Sequence, residues 1–223
     1  MAWSRIGSAD PAAVEQLPEW LLPVAQTAMR TTAEEVTRFV PPHDEGRHSA
    51  VLILFSDDRD ILLIQRASTM RSHAGQPAFP GGAVDLGDAD AVGAALREAE
   101  EETGLDPAGV LVFGALPDLW VPVTNFVVTP VLGWWREPSP VRAQDPAEVS
   151  SVHRVLIADL VDPANRCRVR HPSGYIGPGF EVHGLLVWGF TAQVLSVLLE
   201  RLGWARPWDE NRFVDLPVEG TSS

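Results

Sequence analysis

The chain has a single cysteine, Cys167. No intrachain disulfide can form, and a thiolate metal cluster is not expected. Cysteine used this sparingly fits a reducing compartment, with Cys167 serving as a small buried hydrophobe. Dense basic runs are also missing: 17 basic residues are scattered along 223, and the net charge is −13. Duplex nucleic acid demands a basic footprint, so neither it nor an anionic membrane surface is an expected partner. No apolar run reaches the roughly 18 residues of a membrane span. Residues 1–30 lack the basic start and short apolar block of a secretory signal. The expected setting is the cytoplasm, without a membrane.

What is present suits a globular chain. Hydrophobic residues are 45% and charged residues 21% of the sequence, enough apolar material for a sizeable core. Residues 31–205 read as one domain, preceded by an Ala-, Pro- and Trp-containing extension over 1–30 and followed by a tail over 206–223. Thr32 and Glu35 make a capping-box pattern for a helix that Pro41-Pro42 would end. Ser49–Phe55 and Ile61–Ile64 read as a hairpin around a polar turn. Asp88-Ala89-Asp90 can cap a helix running to Thr103, with Gly104 at its end and Val92, Ala95, Leu96 and Ala99 as its buried stripe. Strands are expected at about Val110–Leu116, Val127–Trp134 and Ser151–Leu156, and a short one at Leu185–Trp188. Segments 136–148 and 162–183 read as loops. Thr191 can cap a last helix with Val194, Leu195, Leu198 and Leu202 on its apolar face. Strands on either side of a central helix, without regular strand–helix alternation, predict a mixed α/β sandwich and not a doubly wound parallel sheet.

The segment Arg97-Glu98-Ala99-Glu100-Glu101-Glu102-Thr103-Gly104-Leu105 is the most informative. On a helix, Glu98 and Glu102 share a face, and Glu101 lies beside them. Like charges at this spacing repel, and they sit at the helix C-terminus, where the macrodipole disfavours them. Arg97 alone cannot balance four glutamates. A divalent cation can, and an all-oxygen donor set suits Mg²⁺ or Mn²⁺. An acidic protein that handles anionic phosphates would need such a cation between the two. Phe79-Pro80-Gly81-Gly82 precedes the helix, and its glycines allow a sharp turn that presents a bare carbonyl.

Together these residues resemble the Nudix box. The chain reads Gly82-x5-Asp88-x8-Arg97-Glu98-x2-Glu101-Glu102-x-Gly104-Leu105, with one residue inserted and Asp88 where the box has a glutamate; Asp85 and Asp90 compete for that place. Leu62-Leu63-x2-Arg66-Ala67-x3-Arg71-x3-Gly75-x3-Phe79-Pro80-Gly81-Gly82 is similar to the signature of the coenzyme A diphosphatase branch, which carries the same longer box. Val128-Thr129-Pro130-Val131 and Val187-Trp188-Gly189-x-Thr191-Ala192 resemble that branch too.

The resemblance implies a Nudix-like α/β/α sandwich with a mixed sheet. It implies metal-dependent hydrolysis of a nucleoside diphosphate derivative, with coenzyme A or acyl-coenzyme A first among substrates. Other nucleotides (a nucleoside triphosphate, a dinucleoside polyphosphate, NADH or an ADP-sugar) are the alternative, and a non-catalytic binding module is a further one. Glu98, Glu101, Glu102 and the Gly81 carbonyl would hold the metal, with Arg97 fixing a glutamate. Glu98 and Glu148 both remain open as the general base. Arg66, Arg71, His73, Gly75 and Phe79 would contact the substrate, whose phosphates suit arginine's planar donor fork. A homodimer is compatible with this reading.

Overall fold

A computed structural model of the chain describes residues 4, 7–39, 46–68 and 74–217. Its strands are β1 (Ser8–Ala9), β2 (Arg47–Ser56), β3 (Asp60–Arg66), β4 (Pro77–Ala78), β5 (Gly81–Ala83), β6 (Val110–Ala115) and β7 (Leu119–Val121). They continue with β8 (Phe126–Trp135), β9 (Val149–Leu156), β10 (Arg166–Arg170), β11 (Ile176–Val182), β12 (Leu185–Val187) and β13 (Phe213–Asp215). The helices are α1 (Pro11–Val14), α2 (Leu22–Ala28), α3 (Ala33–Val36), α4 (Ala91–Thr103), α5 (Ile157–Leu160) and α6 (Gly189–Arg201).

The main sheet runs β1-β6-β8-β2-β3-β4, with β5 added to β2, β7 to β8 and β9 to β3. It is mixed: β2 and β8 are parallel over their full length, and the other pairs are antiparallel. Strand β2 shows why both faces must be covered. Ala50, Leu52 and Leu54 enter a core beneath α4, and Ile53 and Phe55 enter a second core shared with α2 and α6. A strand apolar at both parities is stable only between two layers. The expected mixed α/β sandwich is the fold observed, and no helix among the described residues is long and apolar enough to cross a membrane.

Several local expectations change. The 162–183 loop is instead the antiparallel pair β10–β11, part of a four-stranded sheet β12-β11-β10-β13. Its glycines looked like turn residues, but Gly179 answers a packing demand: a Cβ there would press on Val169 and on the Cys167 sulfur. Cys167 is buried, as expected of a small hydrophobe. Strands β2 and β3 share only the pair Phe55↔Ile61 before β2 turns to β8 and β3 to β9. The Thr32–Glu35 capping box forms, yet α3 ends at Val36, because Thr37 is already extended; Val40 to Pro42 lie outside the described residues. The last helix begins at Gly189 behind Trp188, and Thr191, expected as its cap, is buried inside it. Residues 8–28 pack into the second core through Ala13, Leu17, Leu21, Val24, Ala25 and Ala28, with β1 on the sheet edge beside β6. In the tail, β13 pairs in parallel with β10.

Candidate active site

Helix α4 is placed by its ends and by small residues. Asp90 caps it by accepting from the Gly93 amide at 2.9 Å, and Gly104 ends it in the left-handed region at φ 73°. Ala94, Ala95 and Ala99 are fully buried and let the helix lie close to β2, with Val92 and Leu96 packed at the margin. The buried side is therefore alanine-lined and rotated from the expected stripe.

That rotation carries Glu102 inward. It is 8% exposed, and its Oε2 accepts from the Gly81 amide at 3.0 Å. The two glycines of the preceding turn do different things. A Cβ on Gly81 would overlap the Ala50 carbonyl oxygen, so only glycine lets β5 seat against β2 and present that amide. A Cβ on Gly82 would overlap the Glu98 carboxylate. Gly82 thus makes the room that Glu98 occupies.

Arg97 organises the outer half. Its guanidinium forks onto Asp88, with Nε–Oδ1 and Nη2–Oδ2 both at 3.0 Å. It also reaches the Ala83 carbonyl at 3.1 Å and, through Nη1, Glu98 and Glu101 at 3.0 Å each. Asp88 in turn accepts from the Asp85 amide at 2.8 Å. Of the three aspartates that compete for the box position, Asp88 is the partner of Arg97, Asp90 is the helix cap, and Asp85 stands 3.7 Å from Arg97 and largely exposed. Asp88 is held below the usual carboxylate range by the Arg97 bonds and then by the Asp85 amide.

The three glutamates expected to converge are divided. Glu101 is exposed and drawn to Arg97. Burial pushes the Glu98 carboxyl up in spite of Arg97. Burial pushes Glu102 up to about 7, with Glu98 and Glu148 adding repulsion against the Gly81 amide and Arg66. Among the described residues, no three of His, Cys, Asp and Glu gather closely enough to form a ready metal cage.

Glu148 reaches this neighbourhood through a lacing the sequence did not reveal. The 136–148 loop lies along the end of α4, where the Arg142 and Gln144 amides donate to the Thr103 and Glu102 carbonyls at 2.8 and 3.2 Å. Those are carbonyls that a helix end leaves without partners. Glu148 then holds the Ala67 amide with its own carbonyl at 2.8 Å, and its charge is felt at Glu102.

Of the residues expected to contact the substrate, Arg66 lies at the end of β3, and its positive charge acts on Glu102. Gly75 adopts φ 67°, a left-handed turn. Phe79 is 2% exposed and belongs to the second core, so its ring seats the turn and is closed to a ligand. Arg71 and His73 lie outside the described residues.

The NUDIX domain family profile matches residues 46–171. Over 164 residues the chain is 42% identical to "Uncharacterized Nudix hydrolase NudL" of Salmonella paratyphi B, covering 70% of this chain and 83% of that protein. Two solved structures are similar at lower identity. A Nudix hydrolase from M. smegmatis, RenU, is 24% identical with a TM-score of 0.46, covering 70% of this chain and 86% of its own. The NUDIX domain of Shewanella oneidensis NrtR, complexed with ADP ribose, is 18% identical with a TM-score of 0.47, covering 77% and 99%. The chain belongs to the NUDIX family: it is a Nudix hydrolase, acting on a nucleotide pyrophosphate.

Proposed function

We propose that this hydrolase cleaves the pyrophosphate of coenzyme A or acyl-coenzyme A, giving 3′,5′-ADP and 4′-phosphopantetheine or its acyl form. The observation that carries the reading is the run from Arg66 to Gly82. In sequence it resembles the coenzyme A signature, and both its ends act on one carboxylate: the positive charge of Arg66 favours the ionised form of Glu102, and the Gly81 amide bonds it. A segment that couples a phosphate-binding arginine to the glutamate helix suits a substrate with a phosphate beyond the scissile bond.

Nudix hydrolases typically use divalent metals, and the donor set here fits one. Glu98 and Glu102 are carboxylates whose ionisation burial opposes, and Arg66 is the cation acting on Glu102 from the substrate side. Such a site is short of positive charge, and its all-oxygen character suits Mg²⁺ or Mn²⁺. Glu98, Glu102, Glu101 and the Gly81 carbonyl would hold the ion, which would offset phosphate charge and lower the pKa of a water. Glu101 would have to leave Arg97 to join them.

The residues themselves bind, orient and move the proton. Arg66, with Arg71 and His73, holds phosphate oxygens. Arg97 holds Glu98 in place from the Asp88 fork, which fixes the guanidinium as a rigid body. Water adds to one phosphorus, the bridging oxygen leaves with the other phosphoryl group, and the proton goes to Glu148, or to Glu98 where Glu101 and Glu102 alone supply the carboxylates for the ion. Separating those two bases needs the variants Glu98→Gln and Glu148→Gln. The base is the one whose loss removes the acidic limb of the pH–rate profile while metal binding is kept. Mass analysis of the products tests the reaction itself: 3′,5′-ADP with 4′-phosphopantetheine is expected. Intact coenzyme A, with another nucleotide turned over instead, would overturn the substrate.

A further inference from the structure

Arg66 and Gly75 are close to each other at the start of the proposed substrate segment, and the backbone is irregular beside both. Strand β3 breaks register at Gln65/Arg66. Gln65 pairs with Ser151 and Arg66 with Val149, so Ser150 is left over as a bulge. Bulges beside active sites re-aim a side chain. The turn at Gly75 is left-handed, and open space surrounds the position where a side chain would sit. Its amide bonds the Ala67 carbonyl at 3.4 Å, and the Arg66 backbone amide donates to the Gln76 carbonyl at 3.1 Å.

Gln65 joins these two irregular places. Its backbone carbonyl accepts from Ser150, the bulged residue, at 3.1 Å. Its Oε1 accepts from the Ser151 hydroxyl at 3.2 Å, and its Nε2 donates to the Gly75 carbonyl at 3.3 Å. Ser151 is itself 2.7 Å from His153 Nε2. With the Ser151 hydrogen given to Gln65, the Nε2-protonated tautomer of His153 completes a chain from His153 to Gly75, and a flipped Gln65 amide would set carbonyl against carbonyl. By the two-residue period of a strand, Gln65 points to the face opposite Arg66. It braces from behind the segment whose front faces Glu102.

We propose that Gln65 is a positioning residue for the reaction: by tying Ser151, next to the bulge, to the Gly75 turn through its side chain, it fixes the direction of Arg66 and the entry of the chain into the Phe79–Gly82 turn. The claim rests on the reading that Arg66 and this segment bind the substrate, here coenzyme A.

Two variants divide the brace. Gln65→Met removes both side-chain bonds at similar size. Gln65→Glu keeps the acceptor for Ser151 and sets a carboxylate against the Gly75 carbonyl. The full-length enzyme with Mg²⁺ is assayed for coenzyme A turnover and for hydrogen exchange of residues 74–78. Both variants should raise KM about five- to tenfold with kcat within about twofold, as expected for lost pre-organisation worth one hydrogen bond. Exchange over 74–78 should quicken while the α4 amides stay unchanged. Should Gln65→Met fail to fold, Ser151→Ala removes one link of the chain and should give a smaller change of the same kind. Unchanged exchange over 74–78 in the folded variants would overturn the brace. Faster exchange with unchanged KM would overturn the role in the reaction. A wild type that does not turn over coenzyme A would refute the substrate reading instead, and the exchange comparison would still decide whether Gln65 braces the turn.

Discussion

Replacing Glu102 by glutamine should make the metal-free protein more stable at alkaline pH and leave it nearly unchanged at acid pH. Buried beneath the Gly81 turn, the Glu102 carboxyl titrates at about 7 where an ordinary glutamate titrates at 4.5. Because its folded pKa is raised, its favourable contribution is complete below about pH 4.5 and is lost as the pH rises through 7. That difference corresponds to about 3 kcal/mol of opposed ionisation. Glutamine imitates the protonated acid and can still accept from Gly81 through its amide oxygen. In chelator, urea denaturation of the two proteins should therefore nearly coincide at pH 4.5. The variant should be ahead by roughly 2–3 kcal/mol at pH 8, a gap of about 4–12 °C in Tm for a chain of this size. Mg²⁺ at about a thousand times its Kd should then reverse the order, since it adds about 4.1 kcal/mol to the protein that binds it. Hydrolysis should be lost in the variant throughout. A stability gap that is the same at both pH values, or a less stable variant at pH 8 without metal, would refute the reasoning.

Two further outcomes follow from contacts at the site, and a third from the sequence signature that contains Arg71. Gly82→Ala places a methyl where the Glu98 carboxylate lies, so activity should fall at least about a hundredfold, read as kcat/KM, with the loss in kcat. Arg97→Lys cannot fork onto Asp88 while holding Glu98 and Glu101. It should lower kcat about ten- to hundredfold with a stability change under about 2 kcal/mol, and wild-type rates would discount the clamp. Arg71→Ala should raise KM for coenzyme A roughly ten- to hundredfold with little effect on kcat. If Arg71 holds the 3′-phosphate, only the wild type should discriminate against dephospho-coenzyme A, and equal discrimination by both enzymes would remove Arg71 from that role.

Helix α4 was legible because its determinants are local. Asp90 and Gly104 act within a turn of their positions, and the spacing of Glu98 from Glu102 follows from the helical repeat. What spacing could not supply was which glutamate faces inward. Ala94, Ala95 and Ala99 turn Glu102 into the interior, and Arg97 takes Glu101 one turn along on the outside. The Asp88 fork was hidden because Asp88 lies ahead of the helix and its partner nine residues on, inside α4, a spacing that no local repeat marks. Glu148 is brought near by a loop that satisfies the carbonyls at the end of α4, a tertiary arrangement without a local signal. Strands β10 and β11 were concealed for a related reason: glycine and proline mark turns in isolation, and here Gly179 is required by the closeness of its neighbours. Residues 8–28 show no strong periodicity of their own because each short piece is fitted to a surface made elsewhere in the chain.

The central claim is that the Arg66–Gly82 segment directs the glutamate helix to coenzyme A. The most direct measurement is kcat/KM for coenzyme A, acyl-coenzyme A, NADH and ADP-ribose under one saturating concentration of Mg²⁺ or Mn²⁺, repeated in excess chelator. Coenzyme A or its acyl form should lead the series, and chelation should abolish every rate. Faster hydrolysis of ADP-ribose than of coenzyme A, or full activity in chelator, would contradict it.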